Sequence, residues 1–356
     1  MRLERWSLHV YRLPYAREVV WANAREDAGL FALLVLEANG AKGIAEGTLK
    51  DTWSGVSPKS LAAAFEDFLI PRLREVDLTD ERVVATAFAG IPENRLAKGM
   101  IESACWTLRA TLAREPLWKL WDAGRSREVA WTVTRQAPKA MAAEAAEVCA
   151  KHGFRTLKVK GGQGVEVDLR ALAEIRSALG SGVELTVDAN SAYARGEALE
   201  YVQALAGAGI TVAEDPCTLQ PDRHFEALQT ASPIPILVDR SCASREDAAL
   251  YLERGAQALS TKPGRVGLAE TRAMSAMALL KGAKTAVGIY AESALGTLIN
   301  LQQPGTMAAE QTFFLAMKEQ VSRVVPEIRG GRIDLPAEAD LSQLVDWDRV
   351  KNFAAT

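Results

Sequence analysis

Three carboxylates recur in this chain at nearly equal intervals, each closing a short apolar run: Asp188 in LTVDAN, Glu214 in TVAEDP and Asp239 in ILVDRS. They stand 26 and 25 residues apart. Any one of them alone reads as a helix N-cap or a solvated loop residue. One per strand-and-helix interval is different, because consecutive strands would aim all three at one mouth. Their mutual repulsion there calls for a cation. Mg²⁺, with Mn²⁺ as a substitute, takes an all-oxygen ligand set and keeps positions for water or substrate. Lys158 and Lys160, in TLKVKGG, lie one interval earlier. Residues i and i+2 of a strand face the same way, so both ammonium groups point inward. Lys262, in LSTKPGR, ends the next apolar run after Asp239.

These residue types suggest a reaction. A proton α to a carboxylate is weakly acidic, and a cation holding that carboxylate stabilises the enediolate formed when the proton leaves. Unperturbed lysine titrates near ~10.4, whereas a useful base needs roughly 7–8. At ~1.4 kcal/mol per unit, about 4 kcal/mol of ammonium destabilisation is required. A neighbouring lysine and a nearby cation both act in that direction. His9, His152 and His224 end no apolar strand, so acid–base work falls to lysine.

Parallel strands are what could position such a set. After Ser126, short apolar runs alternate with amphipathic stretches: AWTVTR, TLKVK, ELTVDAN, ITVAEDP, PILVDRS, ALSTKP, KTAVGIY and TMAAEQ. Strand–helix alternation with short loops favours a parallel sheet. Eight such units predict an α/β fold, a TIM-type (β/α) barrel with its active site at the C-terminal strand ends. Residues 1–125 read as an α+β capping domain. SLHVYRLPY alternates, FALLVLEANGAKGIAEG turns at Asn39-Gly40, and helical spacing runs from Ser57 to about Trp121. The barrel is assigned to 126–328, and 329–356 to a segment returning to the cap.

Composition excludes several classes. At 356 residues, with 48% hydrophobic and 24% charged residues and a net charge of -3, the chain has no electrostatic case for nucleic acid or anionic membrane. Cys105, Cys149, Cys217 and Cys242 are scattered without a CxxC pair, which fits a reducing cytoplasm rather than a zinc cluster or disulfide framework. The start lacks a signal-peptide core, so a cytoplasmic protein is expected. GGQGVEV (161–167) departs from a dinucleotide loop because Val167 stands where the third glycine belongs. A phosphate-binding barrel should show glycine-rich loops after strands seven and eight, but Gly288 and Gly305 are followed by IYAES and TMAAE.

The order KxK, D, E, D, K on successive strands resembles the muconate lactonizing subgroup of the enolase superfamily. GMIESACWTLRATLAREPLWKLW (99–121), ANGAKGIAEG (38–47) and GGRIDLP (330–336) resemble its helix before the barrel, its cap hairpin and its C-terminal return. The resemblance implies that Asp188, Glu214 and Asp239 bind Mg²⁺ and that Lys160 and Lys262 are acid/base catalysts on opposite faces of the substrate. It implies that Lys158 supports Lys160. Glu292, in GIYAES, matches a family acid close to the second lysine. The expected partner is a small-molecule carboxylate, with assembly as a homo-oligomer.

Some segments depart from the pattern. Arg240 follows Asp239 where relatives commonly carry a second acid. TMAAEQ lacks the Asp-x-Asp that dipeptide epimerases use to hold an ammonium group, although Glu310 could partly replace that charge. KPGRVG (262–267) resembles o-succinylbenzoate synthases and N-succinylamino acid racemases. Specificity should come from the cap segments VVWANARED (19–27) and TLKDTWSG (48–55): Trp21 and Trp53 as an apolar wall, Arg25 or Lys50 for a distal carboxylate. The expected activity is that of a cycloisomerase or a racemase/epimerase. A dehydratase of the same superfamily, and a non-catalytic carboxylate-binding barrel, are the alternatives.

Overall fold

A computed structural model describes residues 1–20 and 25–355. Three N-terminal strands, β1 (Arg5–Val20), β2 (Arg25–Ala38) and β3 (Ala41–Leu49), form an antiparallel sheet in that order. Ala38 opposes Ala41, leaving Asn39 and Gly40 as a two-residue turn with φ of 52° and 72°. Asn-Gly tolerates both left-handed positions, and the turn's twist matches the strands. The run FALLVL in β2 is apolar on both faces because both are covered. Phe31, Leu33 and Val35 join the barrel-side core, while Ala32, Leu34 and Leu36 join the core under the cap helices. Among those helices is α1 (Arg95–Ala113), which buries Met100, Ile101, Ala104 and Leu108 against the sheet.

The strands β4 (Ser126–Glu128) and β5 (Trp131–Val133) lead into the second region. From β5 the parallel sheet continues through β6 (Thr156–Lys160), β7 (Glu184–Asp188), β8 (Val212–Glu214), β9 (Ile236–Val238), β10 (Ala258–Thr261) and β11 (Lys284–Val287), with spatial order following chain order. Amphipathic helices return between successive strands, among them α2 (Pro138–His152) and α3 (Val165–Leu179). Alternation within β6 sends Leu157 and Val159 into the core outside the sheet and its lysines inside.

The eighth strand expected at TMAAEQ is not a regular strand. Thr306 and Met307 both donate their N–H to the Thr285 carbonyl, so the segment bulges. Beyond the bulge, the Glu310 N–H reaches Val287 O (2.8 Å), the Ala309 N–H reaches Glu128 O (2.9 Å), and the Ala130 N–H reaches Ala309 O (2.8 Å). The segment thus bridges β11 to the β4–β5 stretch and closes the TIM-type barrel without a continuous ladder. After it, β12 (Ile328–Arg329) and β13 (Arg332–Asp334) form a hairpin against β4. The C-terminal residues then pair with the cap, the Ala355 N–H donating to Val10 O. Among the described residues, no helix is long and apolar enough to cross a membrane.

Candidate active site

Strand register brings the acids and lysines level. Lys160 lies opposite Asp188, Asp188 opposite Glu214, and Glu214 opposite Leu237, with Asp239 just past the end of β9. Lys262 follows β10 directly. These five residues therefore sit at the C-terminal ends of their strands.

Ion pairs link them in a chain. Lys158 donates to Glu214 Oε1 (2.7 Å) and Glu310 Oε2 (2.9 Å), and its Nζ stands 3.2 Å from Asp188 Oδ2. Lys160 donates to the same Asp188 oxygen at 2.6 Å and to Asn190 Oδ1 at 3.3 Å. At the other end of the arc, Lys262 donates to Asp239 Oδ2 at 2.5 Å. The lysines differ in access: the side chain of Lys158 is 2% exposed, that of Lys160 23% and that of Lys262 12%. Lys158 is sealed beneath the site, and the other two reach the mouth.

The electrostatics follow from burial and this pairing. Burial disfavours the Lys158 ammonium, but Glu214, Glu310 and Asp188 more than offset it and hold the amine well above its ordinary value. These three acids favour the ammonium form of Lys158. Burial would raise Asp188, yet Lys160 and Lys158 hold it well below the usual carboxylate range. Asp239 is drawn down to about 2, against burial, by Lys262, Arg265 and Lys158. Glu214 goes the other way, raised by burial and by the charge of Asp188, with Lys158 compensating only in part.

The donor chemistry fits a hard divalent cation: three carboxylates from adjacent strand ends, with Asp239 Oδ1 buried and lacking a hydrogen-bond partner. As placed here, the ammonium groups lie against these carboxylates, and among the described residues no three acids are arranged to share one ion. Asp188, Glu214 and Asp239 are the residues that would hold it.

The remaining expected residues divide. Glu292 is buried, accepts from the Tyr290 N–H (2.8 Å) and Asn300 Nδ2 (2.9 Å), and is pushed up to about 7 by burial. Its Oε1 lies against Gly264, two residues after Lys262. Glu310 is turned inward onto Lys158 rather than toward the cap. Trp53 packs its ring 5.2 Å from that of Tyr290, which ties the cap segment to the loop after β11. Lys50 is ion-paired with Glu26, and Arg25 with Glu18 at 3.1 Å. Neither base is left without an acidic partner, because cross-strand neighbours supply one. Trp21 lies outside the described residues.

The sequence reading missed several residues. Asp215 accepts from the N–H groups of Asp239 (3.2 Å) and Arg240 (2.9 Å), which fixes the backbone that presents Asp239. Asn190 donates to Asp188 Oδ2 at 2.9 Å while accepting from Lys160. The acid after Glu214 and the Asn in DAN were visible in the motifs, but nothing in their spacing told what they would hold. Beneath the site, a cavity of about 340 Å³ runs from Thr156, Glu184 and Lys284 up to Lys158, Glu214 and Glu310. Lys160, Asp239 and Lys262 do not line it, so the reactive mouth lies on the other side of Lys158.

Comparison with known proteins agrees with this fold. A family model described as enolase C-terminal domain-like matches residues 140–348. The chain is 28% identical over 319 residues to an o-succinylbenzoate synthase of Geobacillus stearothermophilus, covering 86% of this chain and 81% of that protein. It is 29% identical over 265 residues to an L-Ala-D/L-Glu epimerase of Bacillus subtilis, covering 72% of each. A muconate lactonizing enzyme of Pseudomonas fluorescens, solved with muconolactone, superposes with a TM-score of 0.90 over 99% of each chain at 24% identity, a likeness of fold.

Proposed function

Because the chain belongs to the enolase C-terminal domain-like family, we propose that its barrel removes a proton from the carbon beside a substrate carboxylate. In this reading Lys160 and Lys262 are the proton-carrying groups. One observation carries it: the two mouth-facing amines hold opposite ends of a single carboxylate arc, Lys160 on Asp188 and Lys262 on Asp239. A small planar carboxylate seated over that arc has one amine on each side. Either amine then takes the proton, and the other returns one to the opposite face or steadies developing charge. Lys158 offsets part of the charge of Glu214, Glu310 and Asp188 without entering the exchange. Asp215 and Asn190 hold the acids in position. A divalent cation, Mg²⁺ by donor chemistry, would supply positive charge beside the substrate carboxylate as the proton leaves.

Within that chemistry the isomerase reading is preferred: a racemase, epimerase or cycloisomerase of a small carboxylate. The assignment of 1–125 to substrate reading, 126–328 to catalysis and 329–356 to a return segment belongs to the same proposal. A second reading, loss of water from the same intermediate, is favoured by KPGRVG and by similarity to a synthase across 86% of the chain.

The test is α-proton exchange into D₂O across N-acylamino acids, dipeptides, hydroxyprolines and muconates. Exchange on one class that stops with a chelator and returns with Mg²⁺ is the expected result. Folded, Mg²⁺-supplied protein that exchanges none of them would refute the reading.

A further inference from the structure

The cap bases expected to read a distal carboxylate already hold acids of their own, whereas Arg135, beside Lys160 and Asp188, is held by neutral acceptors. Arg135 follows β5 by two residues and is exposed. Its guanidinium is pinned by neutral acceptors: Nε donates to Gly161 O (2.5 Å), and Nη2 to Ala189 O (3.2 Å) and Asn190 Oδ1 (3.3 Å). Gly161 follows Lys160 and Ala189 follows Asp188, so the arginine rests on the two loops that carry the amine and its acid. Gly162 makes the seat, since a Cβ there would stand 3.0 Å from Nη2 and 2.7 Å from Ala189 O. Among the described residues, no carboxylate pairs with Arg135 and its Nη1 makes no hydrogen bond. Asn190 Oδ1 accepts from both Arg135 and Lys160, so one side-chain atom separates the guanidinium from the reacting amine.

We propose that Arg135 is a specificity-determining residue that receives a second carboxylate of the substrate, making this a dicarboxylate enzyme. This rests on the function proposed above. A guanidinium held on three sides has lost little further freedom to lose on binding. Its Nη1 keeps two N–H donors that can reach a carboxylate oxygen in a charge-assisted bond. A substrate whose α-carbon meets Lys160 would need only a short extension to reach it. A tie between two loops is the simpler role for the same bonds, and it predicts no preference among substrates.

N-succinylglycine and N-acetylglycine separate the two, because they share the reacting centre and differ in the distal carboxylate. With Mg²⁺ present, the wild type is expected to exchange the succinyl compound with the lower KM. Arg135→Met should raise that KM by at least about 10-fold, as loss of a charge-assisted contact does. The acetyl compound should change by less than about 3-fold, within the size of a weak contact. Arg135→Lys should fall between. Equal loss on both compounds, or no preference in the wild type, would overturn the proposal in favour of the loop tie. Thermal shifts with each compound supply a readout without turnover. Stabilisation by the succinyl compound that disappears in Arg135→Met, in a protein that exchanges neither, would support the subsite while refuting the proposed reaction. No differential stabilisation and no exchange would sink both.

Discussion

Lys160 and Lys262 flank the same carboxylates, but the ground beneath them is unlike. Two residues below Lys160 is Lys158, sealed and shared among Glu214, Glu310 and Asp188. Two residues below Lys262 is Ser260, whose buried hydroxyl has no hydrogen-bond partner. Beside it Gly288 leaves no spare room: a Cβ there would sit 2.4 Å from Ser260 Oγ and 2.9 Å from Lys262 Cε. Lys160 stands in a wide network of charge, whereas Lys262 has a single acid, Asp239, and close packing around its stem. The two sides should therefore fail differently when altered.

Charge removal should have the largest effect, on the Lys160 side. Lys158→Met strands three buried carboxylates, and breaking such a pair costs about 3–5 kcal/mol. Denaturant unfolding should show that loss, whereas Ser260→Ala should stay within about 1 kcal/mol of the parent. Equal losses would erase the proposed contrast. Shape should matter next, on the Lys262 side. Gly288→Ala should keep the fold but lower kcat about 100-fold by shifting Lys262, and adding Ser260→Gly should recover part of it. An unchanged kcat in Gly288→Ala would show that packing does not position this amine.

The smallest effect calibrates both and lies outside the carboxylate arc. Glu102, on α1, is pushed up to about 7, first by burial and then by Glu270, while Arg245 and Lys98 pull it down. Between its unfolded value near 4.5 and about 7, the native state binds the extra proton. Stability contributed by this group is thus present below pH 4.5 and lost as pH rises to 7. Glu102→Gln should raise stability at pH 8 by about 1–2 kcal/mol, discounted for the residue's partial exposure, and leave it unchanged at pH 4. A gain that is the same at both pH values would contradict this account of Glu102.

The contrast also shows what the sequence made legible. Asp188, Glu214, Asp239 and the lysines stood out because each ends an apolar run at a strand-and-helix interval, and the barrel was read from that same period. The eighth segment was read as a strand from TMAAEQ alone. Its two N–H groups on one carbonyl depend on how the ring closes, which no local pattern encodes. Lys50 and Arg25 looked available because Glu26 and Glu18 become their partners only through strand pairing. Arg135 carried no signal, since a lone arginine after a short strand is ordinary, and its seat is built by loops that follow other strands. Side-chain direction along a strand follows from period two; partners across strands require the fold.

Opposed action of Lys160 and Lys262 is tested most directly with the two enantiomers of any α-carboxylate substrate that exchanges in D₂O with Mg²⁺. For a racemisation, Lys160→Ala should abolish exchange from one enantiomer and retain it from the other, with Lys262→Ala showing the reverse. For a cycloisomerisation or elimination, one variant should lose exchange altogether, while the other keeps single-turnover exchange at a reduced kcat. Undiminished exchange from both enantiomers in either alanine variant, with metal bound, would contradict the account.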